Sequence, residues 1–201
     1  MPQKGRLKMK VIDVSDWNDN IDWSTIVDAG VGGVIVKISE GRTLSELHGK
    51  HIAAAAARGL KWGVYAFTHA QSADRAVQEA DVVINALDAL RYGEPPLGIW
   101  LDLEAPETIN MDPDDVTAIC SAFVSECNAA GYECGVYGSY STLTNRMYPY
   151  DLADYVQYWP AEYGDDNDFK DENPGLRVVG WQFTESYNIG GTLYDMSEWE
   201  D

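Results

Sequence analysis

Positive charge is scarce in this sequence. Lys and Arg total 14 against 33 Asp and Glu, a formal net charge of -19, and a phosphate-rich ligand needs counter-charge that such a surface lacks, so no nucleic-acid partner is expected. The same imbalance repels an anionic membrane or wall at long range, and binding must rest on short-range contacts. No apolar run approaches the ~20 residues that span a bilayer, so no membrane insertion is expected. The first ten residues are basic, but Val11-Ile12 is cut short by Asp13 where the apolar stretch of a signal peptide should continue, so no export signal is read. Cysteine is too sparse for a disulfide framework. Of three, Cys120 and Cys127 share a helical face and Cys134 falls in the next apolar run; buried free thiols are expected. No Pro-, Gly- or Ser-rich stretch divides the 201 residues. One folded unit over 10–201, preceded by a short extension at 1–9, is therefore expected, and a monomer.

Phenylalanine is also rare: 4, against 7 Trp and 12 Tyr. Rings with a polar handle suit a cleft whose wall stays partly wet. Along the chain, short apolar runs alternate with helical patterns, which predicts parallel strands joined by helical crossovers. Asp22 is placed to cap a helix running to Asp28-Ala29, with Gly30 as its stop. A second helix runs from about Leu47 to Arg58-Gly59, a third from a Ser72 cap to about Leu90, and a fourth from Asp112-Pro113-Asp114-Asp115 to Gly131. The strands read as Lys10 to Val14, Gly33 to Ile38, Trp62 to Phe67, Leu97 to Leu103, Cys134 to Tyr137, Tyr155 to Ala161, Val178 to Phe183 and Thr192 to Met196. Beyond Gly138 the links are rich in Asp, Asn, Gly and Pro and lose the helical period. The pattern predicts a single-domain α/β fold, a TIM-like barrel of about eight strands with the last helices missing or degenerate. An open doubly wound sheet has no Gly-rich phosphate loop to support it, because Gly30-Val31-Gly32-Gly33 precedes a strand.

Sites in such barrels form at the carboxyl ends of the strands. Here those ends carry Asp13, Lys37 with Glu40, Tyr65, Asp102 with Glu104, Tyr137, Trp159, Gln182 and Asp195. Asp102 and Glu104 lie two apart, so on a strand both side chains face one cleft with Cα atoms ~6.5–7 Å apart. They follow the apolar Gly98-Ile99-Trp100-Leu101, where two acids are costly unless solvated, paired or used. Mutual repulsion raises one pKa, and a carboxyl that keeps its proton near neutrality is what protonation of a glycosidic oxygen requires. His48 and His51 lie three apart and are expected on an exposed helical face rather than at a metal; His69 has no assigned role.

Longer blocks carry a resemblance. Lys10-Val11-Ile12-Asp13-Val14-Ser15-Asp16-Trp17 with Ile21-Asp22-Trp23 looks like the opening of glycoside hydrolase family 25, the Chalaropsis-type lysozymes of bacteria and their phages. The likeness continues through Val36-Lys37-Ile38-Ser39-Glu40-Gly41, Gly59-Leu60-Lys61-Trp62-Gly63-Val64-Tyr65, Leu101-Asp102-Leu103-Glu104 and Gly135-Val136-Tyr137. It resumes at Tyr158-Trp159-Pro160-Ala161-Glu162-Tyr163-Gly164, Trp181-Gln182-Phe183-Thr184 and Gly190 to Asp195, in the family's order over nearly the whole chain. What the resemblance implies is hydrolysis of the β-1,4 bond between N-acetylmuramic acid and N-acetylglucosamine in peptidoglycan. It makes Glu104 the general acid and Asp102 the support for the transition state or the substrate's acetamido group, with Asp13 and Asp195 as the other cleft carboxylates. Tyr65, Tyr137, Trp159, Gln182, Lys37 and Glu40 are expected to bind substrate.

Spacing leaves the stereochemistry open, since side-chain torsions place the two carboxyls in either the retaining or the inverting range. A third route uses the substrate's own acetamido oxygen as nucleophile with net retention, and it is favoured because the family's Asp-x-Glu resembles that of enzymes working this way. No metal or other cofactor is expected. The rivals are a metal-dependent barrel hydrolase built on Asp13, Asp102, Glu104 and Asp195, and a glycan-binding module without catalysis. A chitinase-type motif is disfavoured, because two further acids expected upstream are replaced by Leu97 and Trp100. The expected place of action is the bacterial cell wall, reached either outside the cell or by release of a phage-encoded enzyme from the cytoplasm.

Overall fold

The computed structural model describes residues 8–200; positions 1–7 of the expected N-terminal extension lie outside the described residues. Eight strands close a barrel: β1 (Met9–Val14), β2 (Val31–Glu40), β4 (Lys61–Phe67), β5 (Ile99–Asp102), β6 (Cys134–Ser139), β7 (Gln157–Ala161), β9 (Gly180–Ile189) and β10 (Thr192–Trp199). Two short strands sit outside the ring, β3 (Thr43–Leu44) beside β2 and β8 (Arg177–Val178) beside β7. Neighbours from β1 through β2, β4, β5, β6 and β7 to β9 run parallel, as the alternating pattern predicts. The final strand does not. β10 is antiparallel to both β9 and β1, because Gly190-Gly191 joins β9 to β10 as a two-residue hairpin with φ values of 61° and 92°, a turn that reverses the chain and leaves no room for a crossover helix.

The helices thin out along the chain, as expected. α1 (Trp23–Asp28), α2 (His48–Ala56), α3 (Ala73–Leu90) and α5 (Pro113–Ala129) are crossovers, and α4 (Pro106–Ile109) is a single turn after β5. Past β6 only α6 (Tyr140–Asn145), a 3₁₀ turn at Pro149–Asp151 and α7 (Asp168–Glu172) remain. The caps explain the starts. Asp22 accepts from the backbone N–H groups of Ser24 and Thr25, Ser72 from that of Arg75, and Asp112 from that of Asp114, with Pro113 in the first turn.

The strands β2, β4, β5 and β6 are buried on both faces along most of their length, which explains their near-continuous apolar runs. Outward residues such as Ile12, Val34, Val64, Leu101 and Val136 pack under the helices. Cys120, Cys127 and Cys134 are buried, free thiols in this layer, as expected. Inward, Val11, Ile35, Leu97, Trp100, Trp159 and Trp199 form a separate cluster that plugs the barrel. The three indoles meet edge to face with centroids 5.3–5.7 Å apart. Glycine makes room for them: an added Cβ would lie 2.5 Å from Trp100 at Gly135 and 2.4 Å from Trp199 at Gly180. His51 departs from expectation. It is buried on α2 against Trp23, with ring centroids 5.9 Å apart, because the alanine-rich helix turns this face to the barrel.

Candidate active site

The carboxyl ends of the strands surround an open cavity of about 220 Å³. Asp13, Tyr65, Asp102, Glu104, Tyr137, Trp159 and Asp195 line it, seven of the ten residues expected from the sequence. Asp13 sits in the last turn of the pleat on β1, and Asp102 ends β5. Glu104 lies beyond that strand, which is shorter than the expected Leu97 to Leu103. Leu103 still donates its N–H to the Tyr137 carbonyl at 3.0 Å, so the chain stays extended and the two acids keep a common side. Asp195 arrives by a different route from the expected strand end. Because β10 runs antiparallel, its beginning is at the mouth, and Asp195 pairs directly opposite Asp13.

The other three expected residues lie off the wall. Gln182 is buried beneath it; its amide oxygen accepts from Tyr137 (2.9 Å) and Tyr163 (3.3 Å), and its nitrogen donates to Asp13 (2.9 Å). This amide fixes Asp13 from below. Lys37 and Glu40 pair at 2.7 Å and line an adjacent depression of about 460 Å³ with Asp16 and His69. Ile38 is an extra residue in β2 between the pairs Lys37–Tyr65 and Ser39–Ala66, a bulge that re-aims the strand end beyond Lys37, where Glu40 lies. Trp159 forms the cavity floor, with its indole N–H donated to Ser197 at 3.0 Å.

Two wall residues were not predicted, Tyr163 and Glu185. Tyr163 follows β7 within the Trp159-Pro160-Ala161-Glu162-Tyr163 block, so the strand-end rule extended by two residues finds it. Glu185 has no such signal. It reaches the mouth where Glu185 and Ser186 together stand against Asp195, a bulge between the pairs Tyr187–Tyr194 and Thr184–Met196.

Electrostatically the cavity separates its acids. Asp102 is raised well above the usual carboxylate range by burial, then by the charges of Glu104 and Asp13, against a weaker pull from Lys37. Its Oδ1 has no hydrogen-bond partner among the described residues. Glu104, open to the cavity, is raised by burial of its surroundings and by Asp195, with Tyr137 and Lys37 opposing. Asp13 is raised well above its usual value by burial and by Asp195, which is itself raised by burial. Two acids directly opposite on neighbouring strands repel when both are charged, which is why the pair favours a shared proton. Burial keeps Tyr65 and Tyr137 protonated, so both remain hydrogen-bond donors. The cavity thus offers a solvent-facing carboxyl whose pKa is raised, beside a buried carboxyl with an unused acceptor. No group of three His, Cys, Asp or Glu side chains among the described residues converges as a metal-ligand set.

A match to the sequence profile of glycosyl hydrolases family 25 spans residues 12–192. The chain belongs to that family. Within family 25, the autolytic lysozyme of Clostridium acetobutylicum is 26% identical over 187 residues, covering 91% of this chain and 52% of that protein. The family 25 chain therefore spans about half the length of this curated relative. The modular autolysin LytC of Streptococcus pneumoniae, solved with a synthetic peptidoglycan ligand, is 28% identical with a TM-score of 0.84, covering 96% of this chain and 46% of that one. The lysozyme of Streptomyces coelicolor, 20% identical, shares the fold with a TM-score of 0.79 over 97% of this chain and 93% of its own. The distorted TIM-like barrel expected from the sequence is the family 25 fold seen here.

Proposed function

We propose that the protein is a muramidase that hydrolyses the β-1,4 bond between N-acetylmuramic acid and N-acetylglucosamine in peptidoglycan. The observation that carries this is the pairing of a solvent-facing Glu104, its pKa raised by burial and by Asp195, with a buried Asp102 whose Oδ1 is unpartnered. Glu104 protonates the leaving glycosidic oxygen as general acid. Asp102 accepts the N–H of the substrate's acetamido group, aligning its carbonyl oxygen for attack on the anomeric carbon. The unpaired acceptor and its burial suit that partner, since an amide N–H satisfies it without adding charge. Asp13, held by Gln182, and Asp195 opposite it shape the cavity's field beside the reacting centre. Tyr65, Tyr137 and Trp159 contact the sugar; Gln182 acts through Asp13, and Lys37 and Glu40 serve the adjacent depression. The named relatives are lysozymes and autolysins, and a peptidoglycan ligand was bound to LytC, which supports a cell-wall glycan as substrate. The enzyme acts at the bacterial wall as a monomer. No helix among the described residues is long and apolar enough to cross a membrane.

The test is mass spectrometry of fragments released from purified peptidoglycan. N-acetylmuramic acid at the new reducing ends is expected; N-acetylglucosamine there would overturn the assignment of the bond. Glu104→Gln should lower turnover by about 10²–10⁴-fold while binding persists. Substrate participation predicts that the first product detected by NMR is the β anomer, and an α anomer would exclude it.

A further inference from the structure

Six of the seven tryptophans are buried or half-buried, but Trp17 is 92% exposed. Its position is not that of a loose loop. Asn18 donates its backbone N–H to the Ser15 carbonyl at 3.0 Å, and its side-chain oxygen accepts from the Ser15 N–H at 2.9 Å. The Trp17 N–H is held by the Ser15 hydroxyl at 3.3 Å. Asp16, the residue before it, accepts from the Ser45 hydroxyl (2.5 Å) and from the backbone N–H groups of Leu47 (2.9 Å) and Glu46 (3.3 Å), which ties the turn to the segment ahead of α2. The backbone is pinned on both sides while the indole is left in water.

The location gives the exposed ring a use. The central cavity continues into a second depression of about 120 Å³ that shares Asp13, Tyr65 and Asp195 with it and runs out to Ser15 and Asn18, flanked by the exposed Leu193. Asp16 faces the other way, into the depression that holds Lys37 and Glu40. Trp17 therefore lies in the turn between the two depressions, beside Ser15 and Asn18 at the outer end of the trough that starts at the catalytic carboxylates. A linear glycan cut at Glu104 must continue past the rim on either side of the bond, and an indole face on a fixed backbone is a surface on which a sugar ring stacks with little further ordering cost. The net charge of -19 gives a polymer no long-range attraction, so an uncharged contact of this kind is what the surface has available.

Resting on the muramidase reading, we infer that Trp17 is a distal sugar-binding platform that stacks on a pyranose of the same glycan strand beyond the sugars flanking the cleaved bond. The test compares full-length wild type with Trp17→Ala and Trp17→Tyr on two substrates: glycan strands stripped of stem peptides, and a muramic-acid-containing tetrasaccharide that fills only the central cavity. The ratio of kcat/KM for strands to that for tetrasaccharide should fall by about ten-fold in Trp17→Ala, ~1.4 kcal/mol, mainly through KM. Trp17→Tyr should restore most of it. In the Glu104→Gln background, strands should blue-shift tryptophan emission, and Trp17→Tyr should remove that shift.

A ratio that does not change, or an equal loss on both substrates, would overturn the platform. So would a loss seen only on strands that still carry stem peptides, which would make the peptide the partner. Failure of the underlying reading looks different, since wild type would then cleave neither substrate.

Discussion

The lower and upper halves of the barrel interior are built on the same strands and the same inward alternation, yet their chemistry is opposite. Below, Trp100, Trp159 and Trp199 interlock, with Gly135 and Gly180 making room for the indoles, in an apolar plug. Above, the next inward positions carry Asp13, Asp102 and Asp195, none with a cationic hydrogen-bond partner among the described residues, and each with a raised pKa. Trp100 and Asp102 are two residues apart on β5; Trp199, Ser197 and Asp195 alternate along β10. The plug stabilises the fold by area and fit, whereas the mouth holds charges that the fold disfavours. Rigidity of the first is what keeps the second in place.

Breaking the plug should give the largest change. Trp100→Ala removes an indole that is 1% exposed and should cost about 3–5 kcal/mol of stability, seen as a lower urea midpoint. The smaller Gly135→Ala should cost about 1–3 kcal/mol, because the new methyl meets both the Trp100 ring and the Gln157 carbonyl, the latter 2.6 Å away on a backbone that cannot yield. If either variant kept wild-type stability, the lower half would not be the packed element described.

Neutralising the mouth should act in the opposite direction. Asp102 has a folded pKa raised by burial and by its acidic neighbours, so the folded state binds more protons than the unfolded chain between the two values. Stability is therefore lost as pH rises from about 4, the unfolded value, through the raised folded value. Asp102→Asn removes that loss. It should raise stability at neutral pH by about 1 kcal/mol in thermal or urea unfolding while turnover collapses. An Asn variant less stable than wild type at pH 7 would show that the carboxylate is compensated in a way its surroundings do not suggest.

Much of this contrast was readable from residue order. The two-residue spacing put Asp102 and Glu104 on one side, and the strand-end rule found Asp13, Tyr65, Tyr137 and Trp159 because parallel strands deliver their ends to one face. What escaped were the places where ordinary residues alter the register. Ile38 is an unremarkable strand residue, yet as a bulge it re-aims the end of β2, where Glu40 faces the neighbouring depression. Glu185 and Ser186 do the same on β9 and bring an unforeseen carboxylate to the wall. Asp195 was found at the mouth for a reason that does not hold, since the hairpin at Gly190-Gly191 inverts β10 and so puts the strand's beginning where its end was expected. His51 was misplaced because an alanine-rich helix has little polarity contrast to say which face is buried.

That histidine gives the smallest effect and a finer comparison, since it is a buried titratable group outside the cavity whose shift runs the other way. Burial depresses its pKa, with Lys50 adding to the effect and the Ser15 carbonyl and Asp16 opposing it. As pH falls through the unfolded value of about 6.5 the unfolded chain takes up a proton first, so His51 contributes stability above that pH that is lost below it. His69 has the opposite sign. Glu107 and Glu40 bond its ring at 2.5 and 3.2 Å and raise its pKa despite partial burial, so its contribution is present below about 6.5 and lost as pH rises through the folded value. The two histidines therefore bracket a stability maximum, and the test is a difference measurement in which the cavity carboxylates cancel. Wild type minus His51→Leu, followed by urea unfolding from pH 7 to pH 5, should show a stability difference that shifts in favour of the leucine variant as pH falls. A difference independent of pH across that window would mean that His51 is not held neutral.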